Sequence, residues 1–186
     1  VFIVRFLFDI FLGVNEGCTP LSIAAKEGHL EVVKYIVGHL QDKNPADNEG
    51  DTPLHRAAHE GHLEIVKYIS GYLQDKNPAI NKGFTPLHLA AEKGHFEIVK
   101  YIADNLENKN PSNDAGDTPL SLAKDNNHSK IVKYFTALYS AATKGNLKIV
   151  KNIVGHLEDK NPADDEGYTP LHIAAQGGQL KIVKYI

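Results

Sequence analysis

The sequence predicts an all-α solenoid of stacked antiparallel helix pairs joined by short turn tips, and three features of the chain lead to this class. The pair Thr-Pro begins at residues 19, 52, 85 and 118, with gaps of 33 residues, and recurs at residue 169. The segments after these pairs carry apolar residues at helical spacing. Each predicted helix is too short to be stable alone, so a core can form only between stacked neighbours.

Two helices are predicted in each repeat, as the second repeat illustrates. Thr52 is a suitable N-cap, Pro53 fits the first helical position, and Gly61 can adopt the left-handed conformation that ends a helix. A second helix follows, and Asn77-Pro78 is expected to stop it. Its apolar residues at helical spacing are Ile65, Val66, Ile69 and Leu73.

Long stretches of the repeats are nearly identical, as in "TPLHRAAHEGHLEIVKYI", "TPLHLAAEKGHFEIVKYI" and "TPLHIAAQGGQLKIVKYI". With this motif and period, the chain resembles an ankyrin-repeat array over essentially every residue. Ankyrin repeats commonly carry a Gly-Ala-Asp-Val-Asn turn after the second helix. This chain instead has a leucine followed by a DKNP-type segment, so we expect the second helix to run longer. The leucines are Leu40, Leu73, Leu106 and Leu157.

Both ends of the chain fall inside a repeat. Residues 1–14 align with the end of a repeat, and Ile186 lies within a predicted second helix, so we expect an excerpt of a longer array. The apolar start lacks the basic segment and the cleavage site of a signal peptide. Three interpretations of this apolar start are open: a docking surface, a local capping device and a sequence artefact. We favour a docking surface that contacts a neighbouring element. Its apolar residues at positions expected to face solvent are Phe6, Phe8, Ile10, Phe11 and Leu12.

The repeat pattern is interrupted near residues 129–145. Thr136 follows Phe135 directly, although fifteen residues separate the equivalent positions elsewhere. A tight turn near Thr136 would keep the helices alternating. Because Ala137 replaces the usual proline and no turn residue lies between His128 and Gly145, we favour one helix over residues 129–143, ended by Gly145. We therefore expect ankyrin repeats over 15–135, the fourth truncated, and over 136–186, the last incomplete, with reversed direction after the interruption.

Composition excludes several classes of partner. The chain has 186 residues and a net charge of −3, from 20 basic and 23 acidic residues, without a dense basic cluster. This argues against nucleic-acid binding and against attraction to anionic lipid. Arg5 and Asp9 interrupt the apolar start, which is too short to span a membrane. The single cysteine, Cys18, fits a reducing compartment, so we expect a cytoplasmic protein. We also expect it to be a monomer.

Motifs for chemistry are weak, and we expect no enzyme activity, no metal and no cofactor. His55, His59 and His62 have spacings that could hold zinc, but His55 and His62 recur at the same places in other repeats. The segment "DKNPADNEGDTP" imitates a calcium loop, yet Asp47 stands where the sharp turn needs glycine and Pro53 where the loop needs glutamate. No phosphate-binding loop or nucleophile elbow is present.

The resemblance implies a protein partner of unknown identity, bound along the turn tips and first helices on the concave side. The alternative is a structural spacer or scaffold between other domains of a larger protein. Phe84 and Tyr168 are the strongest candidates, because an aromatic side chain at a tip has no core to enter. Arg56 stands where four other repeats have isoleucine or leucine: Ile23, Leu89, Leu122 and Ile173. The candidate residues are Cys18, Lys26, Asp51, Arg56, His59, Glu60, Lys82, Phe84, Glu92, Lys93, Tyr168 and Gln176.

Overall fold

The computed structural model describes residues 17–106, 108–154 and 168–186, apart from the side chains of Leu138, Tyr139, Asn152 and Ile153. Within these ranges every regular element is a helix, which confirms the predicted all-α class. The predicted apolar patch at the start of the chain lies outside the described residues. The helices are α1 (Pro20–Lys26), α2 (Leu30–His39), α3 (Pro53–Glu60), α4 (Leu63–Ser70), α5 (Pro86–Lys93), α6 (Phe96–Ala103), α7 (Pro119–Asp125), α8 (Ser129–Thr143), α9 (Leu147–Val154), α10 (Pro170–Gln176) and α11 (Leu180–Val183), with a 3-10 turn over Asn81–Gly83.

The first helix of a repeat begins at the Thr-Pro pair, as predicted. In α3, Thr52 has the extended backbone of an N-cap and Pro53 occupies the first helical position, where a missing N–H costs nothing. Gly61 ends the helix with a φ of 91°, a conformation that disfavours any side chain. Helices α1, α5, α7 and α10 begin in the same way.

The DKNP-type segments connect one repeat to the next through side-chain hydrogen bonds. The Asp42 carboxylate accepts from the backbone N–H of Asn44 at 2.9 Å, which fixes the turn. The Asn44 amide oxygen then accepts from the Leu54 N–H at 2.9 Å, satisfying a donor in the first turn of α3. The Lys43 ammonium donates to the Val37 carbonyl at 2.7 Å, near the end of α2. Equivalent bonds join Asn77 to Leu87 and Asn110 to Leu120.

The second helices end earlier than the sequence predicted. Helix α4 stops at Ser70, well before Asn77-Pro78, and α6 stops at Ala103. After α4 the chain tightens, because the Tyr72 and Leu73 N–H groups donate to carbonyls three residues back, at 3.0 and 3.1 Å. Leu73 still packs against the core, but it does so from this turn. The predicted longer helix is therefore wrong for α4 and α6.

A histidine between the two helices of a repeat binds the repeat before it. The His62 Nε2–H donates to the Lys26 carbonyl at 2.8 Å, at the end of α1. His95 and His128 make the same bond to the carbonyls of His59 and Glu92, at 2.9 and 2.8 Å. Each histidine ring lies against the glycine that follows the first helix of the previous repeat. A Cβ added at Gly61, for example, would come within 2.6 Å of the His95 ring. These bonds explain the recurrence of histidine at this position as a feature of the stack.

Helix α8 runs without interruption from Ser129 to Thr143. The Thr136 hydroxyl donates to the Val132 carbonyl at 2.7 Å, a bond made inside a helix and not at a helix start. Gly145 follows the helix with a φ of 68°. The single helix predicted for residues 129–143 is thus confirmed.

The core of the described residues divides at α8. Ile131 belongs to a large cluster formed by α1–α7 and the first half of α8. Ala141 and Ala142 belong to a separate cluster with Val150, Ala174 and Ile182, among others, from α9–α11. We call the two parts the first block (α1–α7 and the start of α8) and the second block (the end of α8 and α9–α11). One helix therefore belongs to both cores.

Helix α8 also reverses the direction of the repeats. Lys130 contacts Glu97 at 3.2 Å, and Tyr134 donates to Asp104 at 2.6 Å, so α8 runs parallel to α6 and antiparallel to α5. Helix α10 packs on α8 and meets it at their C-terminal ends, where the Gln179 amide donates to the Thr143 carbonyl at 3.4 Å. Helix α10 is therefore parallel to α8 and antiparallel to α5. Tyr168, just before α10, and Phe84, just before α5, therefore lie toward opposite ends of the packed helices.

Candidate functional site

A groove of about 440 Å³ lies between the first helices and tips of three consecutive repeats in the first block. Helix α1 contributes Lys26 from its last turn, α3 contributes most of one wall, and the third tip and α5 contribute the other. We call this site the groove. Its lining residues are Lys26, Asp51, His55, Arg56, His59, Glu60, Ile80, Phe84 and Leu89.

The two walls of the groove share a backbone hydrogen bond that closes each tip, but they carry different side chains. The Asp47 N–H donates to the Asp51 carbonyl at 2.8 Å, and the Ile80 N–H donates to the Phe84 carbonyl at 2.8 Å, so the two tips close in the same way. Ile80 and Phe84 stand 33 residues after Asp47 and Asp51. The repeat thus places a charged wall opposite an apolar wall.

Arg56 organises the charged wall. Its Nη2 lies 3.1 Å from Asp47 Oδ2 and 3.0 Å from Asp51 Oδ2. The Asp47 side chain is only 2% exposed, and its other oxygen accepts the backbone N–H of Glu49 at 3.0 Å and of Asp51 at 2.9 Å. Burial raises the pKa of Asp51 above its ordinary value, although the Arg56 guanidinium opposes the shift. Arg56 is therefore held in place before any partner arrives.

Ile80, Phe84 and Leu89 form the apolar wall. All three are half-buried, and none belongs to the packed core clusters of the described residues. The centroid of the Phe84 ring lies 5.8 Å from that of the buried His88 ring, so one side of the Phe84 side chain packs against His88. Leu89 occupies the position of Arg56 one repeat later, so a charged triplet is replaced as a unit by an apolar one.

His55 lies at the bottom of the groove and has a structural role. Its Nε2–H donates to the Pro78 carbonyl at 3.0 Å, and its Nδ1 lies 2.8 Å from the Thr52 hydroxyl, so both ring nitrogens are occupied. Burial lowers the pKa of His55 to about 4. The Nε2–H of His62 is likewise engaged in a hydrogen bond, to the Lys26 carbonyl. In the described part of the chain, no three side chains of the metal-binding types form a group that could hold a metal ion.

The structure brings six of the twelve predicted residues together in the groove: Lys26, Asp51, Arg56, His59, Glu60 and Phe84. Cys18 and Lys82 lie at tips outside it; Lys82 has a φ of 66°. Glu92 and Lys93, at the end of α5, form an ion pair of 2.9 Å with each other. Tyr168 and Gln176 belong to the second block, whose first helix α10 runs antiparallel to α5, and neither lines the groove.

Three residues that shape the groove are absent from the residues predicted from the sequence: Asp47, Ile80 and Leu89. Each one looks unremarkable when it is compared with its neighbours in the chain. A comparison of positions 33 residues apart could have found them, because Asp47, Asp51 and Arg56 change together into Ile80, Phe84 and Leu89. Coordinated replacement of this kind indicates residues that touch.

A family model described as ankyrin repeats matches the chain in three copies, over residues 2–81, 70–136 and 134–186. No curated protein matches the chain. Among the described residues, none of the helices combines the length and the apolar character that a membrane span requires.

Proposed function

Because the chain belongs to the ankyrin-repeat family, whose repeats are generally protein–protein interaction modules, we propose that it binds a partner protein in the groove of the first block. The apolar wall carries this proposal. Ile80, Phe84 and Leu89 are held at the surface of a rigid stack without entering its core. Aromatic residues in such positions are the usual anchors of interfaces.

The neighbouring groups support a binding role without catalysis. Arg56 is committed to two carboxylates, and both ring nitrogens of His55 are hydrogen-bonded. A general acid or base needs a titratable group that can exchange its proton with a substrate. We infer a non-catalytic module of the cell interior, with Lys26, Glu60 and His59 at the edge of the contact and Cys18, Lys82, Glu92 and Lys93 around it.

Replacement of Phe84 tests this proposal. We expect Phe84→Ala to keep the fold, because the ring lies outside the core, and to reduce capture of partner proteins from cell extract at least tenfold. Loss of an interface anchor costs about 2 kcal/mol or more, and about 1.4 kcal/mol is a factor of ten in affinity. The readout is quantitative mass spectrometry of the captured proteins, with circular dichroism to check the fold.

Tyr72→Ala is the matched control. Tyr72 is 53% exposed after α4, away from the groove, so its removal should leave capture unchanged. If Phe84→Ala and Tyr72→Ala retained the same proteins in the same amounts, the groove would not be the binding site. The spacer function would then be favoured.

Tyr168 and Gln176 form part of a separate proposed surface. Tyr168 is 49% exposed and its ring lies 6.2 Å from the ring of His172. Because Tyr168 lies in the second block and does not line the groove, Tyr168→Ala should leave unchanged every protein whose capture depends on Phe84. Loss of the same proteins in both variants would contradict the separation of the two surfaces.

A further inference from the structure

We propose that the groove recognises an extended peptide segment in which a large apolar side chain stands next to a basic one. This inference rests on the proposed function and specifies the chemistry of its partner. It follows from the size of the groove, from the apolar wall and from the balance of charges on the opposite wall.

The size of the groove favours a few side chains over a broad protein face. A volume of about 440 Å³ is at the lower end of the range of pockets that hold small ligands. Ile80, Phe84 and Leu89 offer one apolar surface at its side, and the remaining lining is polar or charged. A single large apolar side chain can cover that surface, while the adjacent residue of the same segment faces the charged wall.

The charged wall carries an excess of carboxylates. Arg56 is shared between Asp47 and Asp51, so one guanidinium faces two carboxylates. The contact of Asp51 with Arg56 is made through Oδ2, and within the described residues Oδ1 has no hydrogen-bond donor. Burial is the main cause of the raised pKa of Asp51, and the neighbouring Asp47 carboxylate adds a smaller contribution in the same direction.

Glu60 adds to this excess at the open edge of the groove. Its contact is with the ring of His59 at 3.0 Å, and in the described part of the chain no lysine or arginine pairs with it. Lys26 is the remaining cation of the lining. The lining thus carries two carboxylates (Asp51 and Glu60) and two cations (Lys26 and Arg56), and the buried Asp47 behind Arg56 adds a third carboxylate, which leaves a net negative charge. A lysine or arginine of the partner can pair with Asp51 and Glu60, whereas an acidic residue would be repelled.

Selection from a library of random dodecapeptides, displayed against the intact chain, tests the inference. We expect the retained peptides to carry a large apolar residue with lysine or arginine within two positions. Their retention should be lost with Phe84→Ala. A peptide synthesised from the enriched set should bind more weakly at higher salt, because its ion pairs are partly exposed.

Reversal of one charge sharpens the test. Glu60→Lys should weaken binding of the enriched peptide about fivefold, which corresponds to about 1 kcal/mol of ion-pair energy. It should also shift a new selection towards acidic neighbours. Glu60 is suitable because it is exposed, whereas Asp51 holds Arg56. Glu64→Lys is the control: Glu64 is exposed on α4 beside Lys67, outside the groove lining, and its reversal should change neither result.

The outcomes separate this inference from the proposed function. Peptides that depend on Phe84 but carry neutral or acidic neighbours would overturn the inference and leave the groove as the binding site. Peptides that are indifferent to Phe84→Ala, or no enrichment at all, would overturn recognition of an extended segment. The capture of whole proteins by the parent chain and by Phe84→Ala would then decide the proposed function by itself.

Discussion

His55 and Ser22 occupy the same position in consecutive repeats, and both close the first turn of a first helix. The Ser22 hydroxyl donates to the Thr19 carbonyl at 2.8 Å and accepts the Thr19 N–H at 3.0 Å. His55 binds the Thr52 side chain and also reaches Pro78 in the next loop. The histidine adds a link between repeats, but its burial penalises the charged imidazolium form.

This difference predicts a pH dependence of stability. The pKa of His55 is about 4 in the folded chain against 6.5 when unfolded, and burial also lowers that of His88. Between pH 6.5 and 4 the unfolded chain binds more protons, so stability is fully present above 6.5 and falls as the pH decreases. His55 alone accounts for a loss of about 3 kcal/mol, at about 1.36 kcal/mol per pH unit.

Denaturation in urea between pH 7 and pH 4 measures this effect. The double variant His55→Ser, His88→Ser should lose less stability over this range than the parent, because serine fits the same cap in α1 without titrating. His39→Ser, at an exposed position, should follow the parent curve. Equal slopes for the parent and the double variant would show that the two buried rings do not titrate as expected.

At the scale of the element, α8 provides the clearest test. Ala137 lies inside the helix, so Ala137→Pro should remove a backbone hydrogen bond and cost about 3 kcal/mol or more. Ala137→Gly, which keeps the N–H, should cost only about 1 kcal/mol. Both values come from urea denaturation followed by circular dichroism. A proline variant as stable as the parent would mean that a helix starts at this position.

The elements differ in how far the sequence could predict them. Helix α8 was predictable because its evidence is local: an unbroken helical pattern without a turn residue. The end of α4 was not predictable in this way. Leu73 keeps the helical spacing of apolar residues, although α4 ends at Ser70 and the chain continues in a tighter turn with hydrogen bonds between residues three apart. The groove was predictable only in part. Its charged wall depends on Arg56 meeting Asp47 nine residues back, a contact made by the fold of the tip.

For the whole molecule, stacking predicts that a core substitution destabilises the fold more in a repeat with two neighbouring repeats than in a repeat at the end of the stack. Leu87 is fully buried in α5, which packs between α3 and α7, so Leu87→Ala should cost about 2 to 5 kcal/mol. Leu171 is half-buried in α10, and Leu171→Ala should cost less. Denaturation midpoints in urea provide the comparison. Equal shifts for the two variants would contradict a stack in which interior repeats contribute two interfaces each.

The reversal at α8 also determines what the molecule can hold at one time. Helix α8 is about 22 Å long at 1.5 Å per residue, and Phe84 and Tyr168 each stand just before a first helix, α5 and α10, which run in opposite directions. We therefore expect a ligand bound at Phe84 to leave Tyr168 uncovered. In an uninterrupted array every tip shares one edge, and a longer array extends one footprint. If the second surface proposed above also binds a protein, we expect the chain to hold two ligands at once, a stoichiometry that titration calorimetry would measure.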